Sequence, residues 1–462
     1  MRQKIQEALK SSQADYTEIR LEEKESTNVS YRGKNLETAQ ATIDVGGVVR
    51  CLIKDRGWGV ATFNSLNDLK ARVEQAYQCA RVAHTDEPIE LAPVPVIEEH
   101  VTAQLQHDFR DISLAVKKAL AESYNEIMLK TSDKIVDTFC NYGDGFNRMI
   151  FANSEGTYLV EERPMVLVAC GAIARDGNNV QQSHESVSNQ TGFEYVQGRE
   201  ELAEKAARRA VEMLGAETVV GGTYPVVCNQ LLAGVFIHEA FGHLSEADFV
   251  YENPKAREMM VLGRRFGKDI LNVFDDGALP GQRGTHRFDD EGTPMRRNYL
   301  IKNGILVGRL HSRETARKMG EQPTGNARAI NYRHAPIVRM TNTAIEQGDT
   351  PFEEMIKDIE LGIYACDAYG GQTQLETFSF SSGYAYMIRE GKIAEMVKDV
   401  ILAGNLFTTM MNIDAIGNDF KWINSGGGCG KGAQSPLPVS MGAPHIRIQN
   451  VVVGGTDHRG GR

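Results

Sequence analysis

The run VFIHEAFGHLSEAD (residues 235–248) carries the residue types of a hydrolytic metal site: His238, Glu239 and His243. Neutral imidazoles bind zinc, and a carboxylate beside a ligand can take a proton from metal-activated water and return it to a leaving amine. The usual zinc-peptidase spacing is H-E-x-x-H, which puts two histidines on one helix face. Here the histidines are five apart. On a regular helix four residues leave side chains about 40° apart and five leave them about 140° apart. A shared metal therefore requires a π-bulge or a helix end between Ala240 and Gly242, with Gly242 best able to take a distorted backbone.

Two histidines are too few for a catalytic zinc, which normally has three protein ligands. Glu246 and Asp248 are the local candidates for the third. Cys429 and His445, both in NSGGGCGKGAQSPLPVSMGAPHIRI, are the distant ones. The glycines around Cys429 suit a loop packed closely against another element, and a thiolate is a soft ligand that a metal would deprotonate. The same loop is not a P-loop, since Ser425 and Gly432 stand where Gly and Ser or Thr are needed. Spacing alone leaves the four candidates open. The remaining histidines, among them His84, His286, His311 and His458, stand singly and are expected at the surface or in hydrogen bonds.

These residues need elements to hold them. NQLLAGVFIHEAFGHL has no proline, a possible N-cap at Asn229 and apolar residues on most sides, so it reads as a buried helix. The rest of that half is β-rich, with hairpin turns expected at Asn303-Gly304 and Glu390-Gly391. Upstream, residues 26–64 read as antiparallel hairpins, 65–83 as a helix opened by a Ser65/Asp68 capping box, and 85–100 as a connector. Helices over 109–127 and 199–214 bracket strands over 134–173. The fold expected is mixed α/β (α+β). An N-terminal α/β region of antiparallel hairpins and helices, 1–222, is divisible into 1–95 and 105–222. A β-rich C-terminal domain, 223–462, carries the motif helix.

With 462 residues the chain can bury a large core, and 41% hydrophobic and 24% charged residues are ordinary for a globular protein. The net charge of −10 comes without a basic run, which argues against nucleic acid as a partner. The longest apolar stretch, 164–174, is too short to span a bilayer, and the first residues lack the apolar segment of a signal peptide. Seven scattered cysteines without a C-x-x-C pair match a reducing compartment, so a cytoplasmic location with no membrane partner is expected.

HEAFGH together with GGGCGKGAQSPLPVSMGAPHIRI resembles the TldD branch of the TldD/PmbA family of zinc peptidases. FDDEGTP (288–294), VRMTNTAIEQGDTPFEEMI (338–356) and SYRGKNLETAQATIDVGGVVR near the N-terminus are similar to that family too. The resemblance implies Zn²⁺ held by His238, His243 and Cys429, with Glu239 as general base. It further implies cleavage of unfolded or extended peptides bound as an added β-strand. The implied partner is a homologous PmbA-type subunit lacking the zinc motif, in a heterodimer, with a homodimer when the chain is alone. The rival expectation is a non-catalytic peptide-binding or assembly subunit of the same complex, using edge strands without chemistry.

Overall fold

The computed structural model of the chain describes residues 1–455. The architecture is mixed α/β, as the sequence predicts. In the N-terminal half, strands β1 (Tyr16–Arg32), β2 (Asn35–Ile53), β3 (Gly57–Phe63), β4 (Glu98–Val101), β5 (Ile135–Asn153), β6 (Tyr158–Asp176) and β7 (Asn179–Asn189) form one sheet. Its order is β3-β2-β1-β5-β6-β4, with β7 also on β6. All pairs but β4–β6 are antiparallel.

Helices α1 (Arg2–Lys10) and α2 (Leu69–Val82) pack Ile5, Leu9, Leu69 and Val73 onto one part of this sheet. Helices α3 (Leu114–Thr131) and α4 (Glu200–Glu212) cover another, through Tyr124, Met128, Ala206 and Ala210. α1 was not foreseen. Its apolar positions are few and mean something only once the sheet supplies a surface. The Ser65/Asp68 capping box does not form: Ser65 Oγ accepts from the Asn67 N–H at 3.3 Å, and the helix begins after Asp68. The helix expected from 109 starts at Leu114 instead. A short 3₁₀ turn at Phe109–Asp111 is capped by Asp108, and Ser113 caps the helix proper.

The C-terminal half is built on a closed barrel. Leu361–Gln374, Gly222–Cys228, Ile446–Gly454, Ile401–Asn405 and Thr377–Arg389 pair in that order, and the last pairs back to the first. A six-stranded sheet containing Val273–Asp276, Asn342–Ile345 and Ser440–Ala443 lies beside it. Both expected hairpin turns are present, with positive φ at Asn303-Gly304 (49° and 73°) and Glu390-Gly391 (49° and 70°). Helix α5 (Gln230–Ile237) packs against strands of both sheets, so close that a Cβ on Gly234 would lie 3.1 Å from Met441 Cβ. This is the buried helix read from the sequence.

The two halves meet across a buried ionic seam supplied by the FDDEGTP run. Asp290 accepts from Arg163 of β6 at 2.8 Å and lies 3.7 Å from Arg20 of β1. Glu291 lies 3.5 Å from Arg50 of β2 and accepts the Arg313 backbone N–H at 3.1 Å. Burial works against the charge on Asp290, yet Arg163 and Arg20 hold its carboxyl below the ordinary range. Among the described residues no helix is long and apolar enough to cross a membrane.

Candidate metal centre

The motif begins on α5, whose N-terminus is capped by the Asn229 side chain accepting from the Leu232 N–H at 2.9 Å. The regular helix stops at Ile237. A π turn spans His238–Gly242, closed by the His243 N–H donating to the His238 carbonyl, five residues back. A short 3₁₀ turn, His243–Ser245, follows. The extra residue is thus absorbed in one widened turn, at the place the spacing requires.

Gly242 has a role other than the one expected of it. Its backbone is ordinary helix (φ −57°, ψ −51°), so no unusual dihedral calls for glycine. Space does: a Cβ there would lie 2.0 Å from Met340 Sδ. Aromatic anchors hold the turn. Phe236 meets Phe378 and Phe380 edge-on at 5.5 and 5.9 Å, and Phe241 meets Phe266 at 5.2 Å. Each such buried ring contributes about 1.5–3 kcal/mol, which offsets the cost of the irregular turn.

The π turn brings the His238 and His243 rings to a centroid separation of 5.3 Å, edge to face. Cys429, 3% exposed, comes from the hairpin of Cys429–Lys431 with Gln434–Leu437. The Arg339 guanidinium fixes that hairpin, donating to the carbonyls of Cys429 at 2.7 Å and Gln434 at 3.1 Å. Ligand atoms of His238, His243 and Cys429 all lie within 4.8 Å of one another, and they are the one such His/Cys/Asp/Glu group among the described residues. Cys429 Sγ is 3.4 Å from His243 Nε2.

The other candidates for a third ligand go elsewhere. Glu246 is behind His243, with Oε2 3.2 Å from Nδ1, opposite the ring nitrogen that faces Cys429. Lys431 Nζ holds that carboxylate at 3.0 Å and Asp248 at 2.6 Å. His445 has Nδ1 on Asp419 at 2.5 Å and Nε2 on the Tyr364 hydroxyl at 2.9 Å. His311 is hydrogen-bonded through both nitrogens, to Thr315 and Glu321. His458 lies outside the described residues.

The donor set fits zinc. Burial alone would raise the Cys429 thiol, but His238 and His243 outweigh it and bring it down to about 5, so sulfur is a thiolate at neutral pH. Burial alone would lower His243, but Cys429 and Glu246 outweigh it and push it up to about 11. The Cys429 thiolate and the His243 imidazolium thus form a buried ion pair, and a zinc ion would replace the shared proton and take both donor atoms as ligands. His238 Nδ1 is buried without a hydrogen-bond partner among the described residues, a costly arrangement for a polar atom with no ligand to bind. Glu239 stays a third exposed, its Oε2 3.8 Å from His243 Nε2, at the rim of the cluster.

Sequence reasoning missed Glu246, Lys431, Arg339 and Met340 as supports of this centre. The GxCGK run did contain Lys431, but nothing in spacing says that its ammonium reaches back to the motif helix.

Comparison with known proteins agrees over nearly the whole chain. Residues 17–80, 107–214 and 221–455 match the family profiles described as PmbA/TldA metallopeptidase domain 1, central domain and C-terminal domain. A metalloprotease of Synechocystis sp. is 50% identical over 445 residues, covering 96% of both chains. A zinc metalloprotease TldD homolog of Saccharolobus solfataricus is 28% identical, covering 89% of this chain and 90% of its own. The crystal structure of TldE from Thermococcus kodakarensis superposes with a TM-score of 0.78 at 17% identity, over 98% of this chain and all of that one.

Proposed function

Because this chain belongs to the PmbA/TldA metallopeptidase family, we propose that it is a zinc-dependent peptidase that hydrolyses unfolded or extended peptides. The observation that carries this reading is the convergence of His238, His243 and Cys429 at the π turn, with Glu239 at its rim. His238, His243 and Cys429 would hold the zinc. Zinc supplies Lewis-acid chemistry, polarising water and the scissile carbonyl. Glu239 accepts the proton of the attacking water and hands it to the departing amine. Glu246, backed by Lys431, accepts from His243 Nδ1 and keeps Nε2 turned toward Cys429, where it would be free to ligate. Substrate chains add as a β-strand, read through their main chain. The working form is a heterodimer with a PmbA-type subunit, or a homodimer when the chain is alone, in a reducing cytoplasm.

The test is cleavage of unstructured peptides by the zinc-loaded chain, alone and with a PmbA-type subunit. Glu239→Gln should keep its zinc and lose about 10²–10⁴-fold in turnover. Undiminished cleavage by that variant would remove Glu239 from its role. Peptide binding without turnover in the wild type would make the chain a non-catalytic peptide-binding subunit.

A further inference from the structure

A cleft of about 620 Å³ opens between the N-terminal sheet and the loops around the Cys429 hairpin. Its wall adjoins the metal cluster: Leu437 lines it and stands opposite Cys429 in the hairpin, a separation of about 5 Å between opposed residues. The four acids of the wall are each matched by a cation. Glu22 lies 3.3 Å from Arg20, Asp44 2.7 Å from Arg333, Asp144 2.6 Å from Lys117 and Asp290 2.8 Å from Arg163. Arg283 and Arg328 are different. They are 6% and 2% exposed, both line the cleft, and neither has a carboxylate within ion-pair distance among the described residues.

Their hydrogen bonds go to neutral groups. Arg283 donates through Nε to Ser188 at 3.0 Å and through Nη1 to the carbonyls of Gly427 and Val439. Arg328 donates to the carbonyls of Met340 at 2.6 Å and Pro438 at 2.8 Å. Arg283 Nη2 and Arg328 Nε make no hydrogen bond to the described residues, although neither is sealed from solvent. Burial pulls both groups down to about 10, so both remain cations at neutral pH. Two largely buried guanidinium groups beside one cleft, bonded only to neutral oxygens (the Ser188 hydroxyl and backbone carbonyls), with Asp290 and Asp275 acting on Arg328 from beyond ion-pair distance, leave a positive field that an anion would relieve.

We infer that this cleft is a subsite for a carboxylate of the peptide, bound by Arg283 and Arg328. The inference rests on the peptidase reading above and adds a substrate class to it: chains bearing a carboxylate near the scissile bond. That carboxylate is either the chain terminus or an acidic side chain.

The test measures binding of three fluorescent peptides to the zinc-loaded Glu239→Gln chain. They are one neutral unstructured sequence with a free C-terminus, the same sequence as its C-terminal amide, and that amide with one internal Glu. At least one carboxylate peptide should bind about tenfold more tightly than the neutral amide. Preference for the free terminus assigns the subsite to the chain end, and preference for the Glu peptide assigns it to a side chain. Arg283→Gln should bring the ratio toward one, and Arg283→Lys should keep part of it. A purely structural arginine would weaken all three peptides equally. Equal affinities in the unsubstituted site, absence of binding, or a preference that survives both Arg283→Gln and Arg328→Gln would overturn the inference. Failure of the two readings is separable. Selective binding with no cleavage by the wild type sinks the peptidase and keeps the subsite; cleavage with no selectivity does the reverse.

Discussion

His243 Nε2 stands 3.4 Å from Cys429 Sγ, two atoms separated by 186 residues of chain. The same imidazole turns its Nδ1 to Glu246 at 3.2 Å, so one ring links the cluster to its support. The contact depends on the π turn from one side and on the Arg339-braced hairpin from the other. Each dependence can be tested by a substitution that leaves the three candidate ligands in place.

Glu246 and Lys431 would act on a bound zinc through His243. Glu246→Gln should keep the fold and weaken zinc affinity about 10–100-fold, in the range expected when the partner of a ligating histidine is altered. Competition with a chelator of known affinity measures this. An unchanged affinity would leave Glu246 with packing alone.

Gly242→Ala would drive a Cβ into Met340 Sδ. Overpacking of that kind costs about 1–3 kcal/mol and, here, should also spread the two histidines and reduce zinc uptake. Combining it with Met340→Ala should make the double variant more stable than the two separate losses predict, by about 1 kcal/mol. Strict additivity in denaturant unfolding would show that the glycine is not there for space.

Asp290→Asn would remove one carboxylate from Arg163 and Arg20, which keep Glu161 and Glu22 respectively, a loss of about 1.5–3 kcal/mol. The carboxyl of Asp290 is held below its ordinary value, so its contribution is complete above the unfolded value near 3.9 and disappears as pH falls through the lower folded one. The gap between wild type and variant should therefore be constant from about pH 8 to pH 5 and narrow only below about pH 4. A gap that widened on acidification would contradict the assignment.

Much of this was legible from the residues. The spacing of His238 and His243 demanded an irregular turn, because a metal site and a regular helix are incompatible at that separation, and the π turn is there. Asn303-Gly304 announced its hairpin, since Asn-Gly is one of the few pairs that tolerate two positive φ angles, and Gly391 marked the other turn, where Glu390 takes a positive φ that its type does not favour. Long-range choices were not legible. Cys429 and His445 sit in one segment with similar chemistry, and only the paths of the strands send one to His243 and the other to Asp419 and Tyr364. The family resemblance, not the spacing, pointed to the cysteine. Gly242 was read as a backbone device and turned out to be a matter of room beside Met340, a residue 98 positions away. The closing of five strands into a barrel has no local signal, because it is a property of how the ends meet.

The central claim is that His238, His243 and Cys429 form one zinc site. Elemental analysis of protein purified reduced and without chelator, wild type beside Cys429→Ala, tests it most directly. The expected result is about one zinc per wild-type chain and its loss in the variant, with both chains folded. A wild type that takes up no zinc when supplied, or a Cys429→Ala chain that keeps it in full, would contradict it.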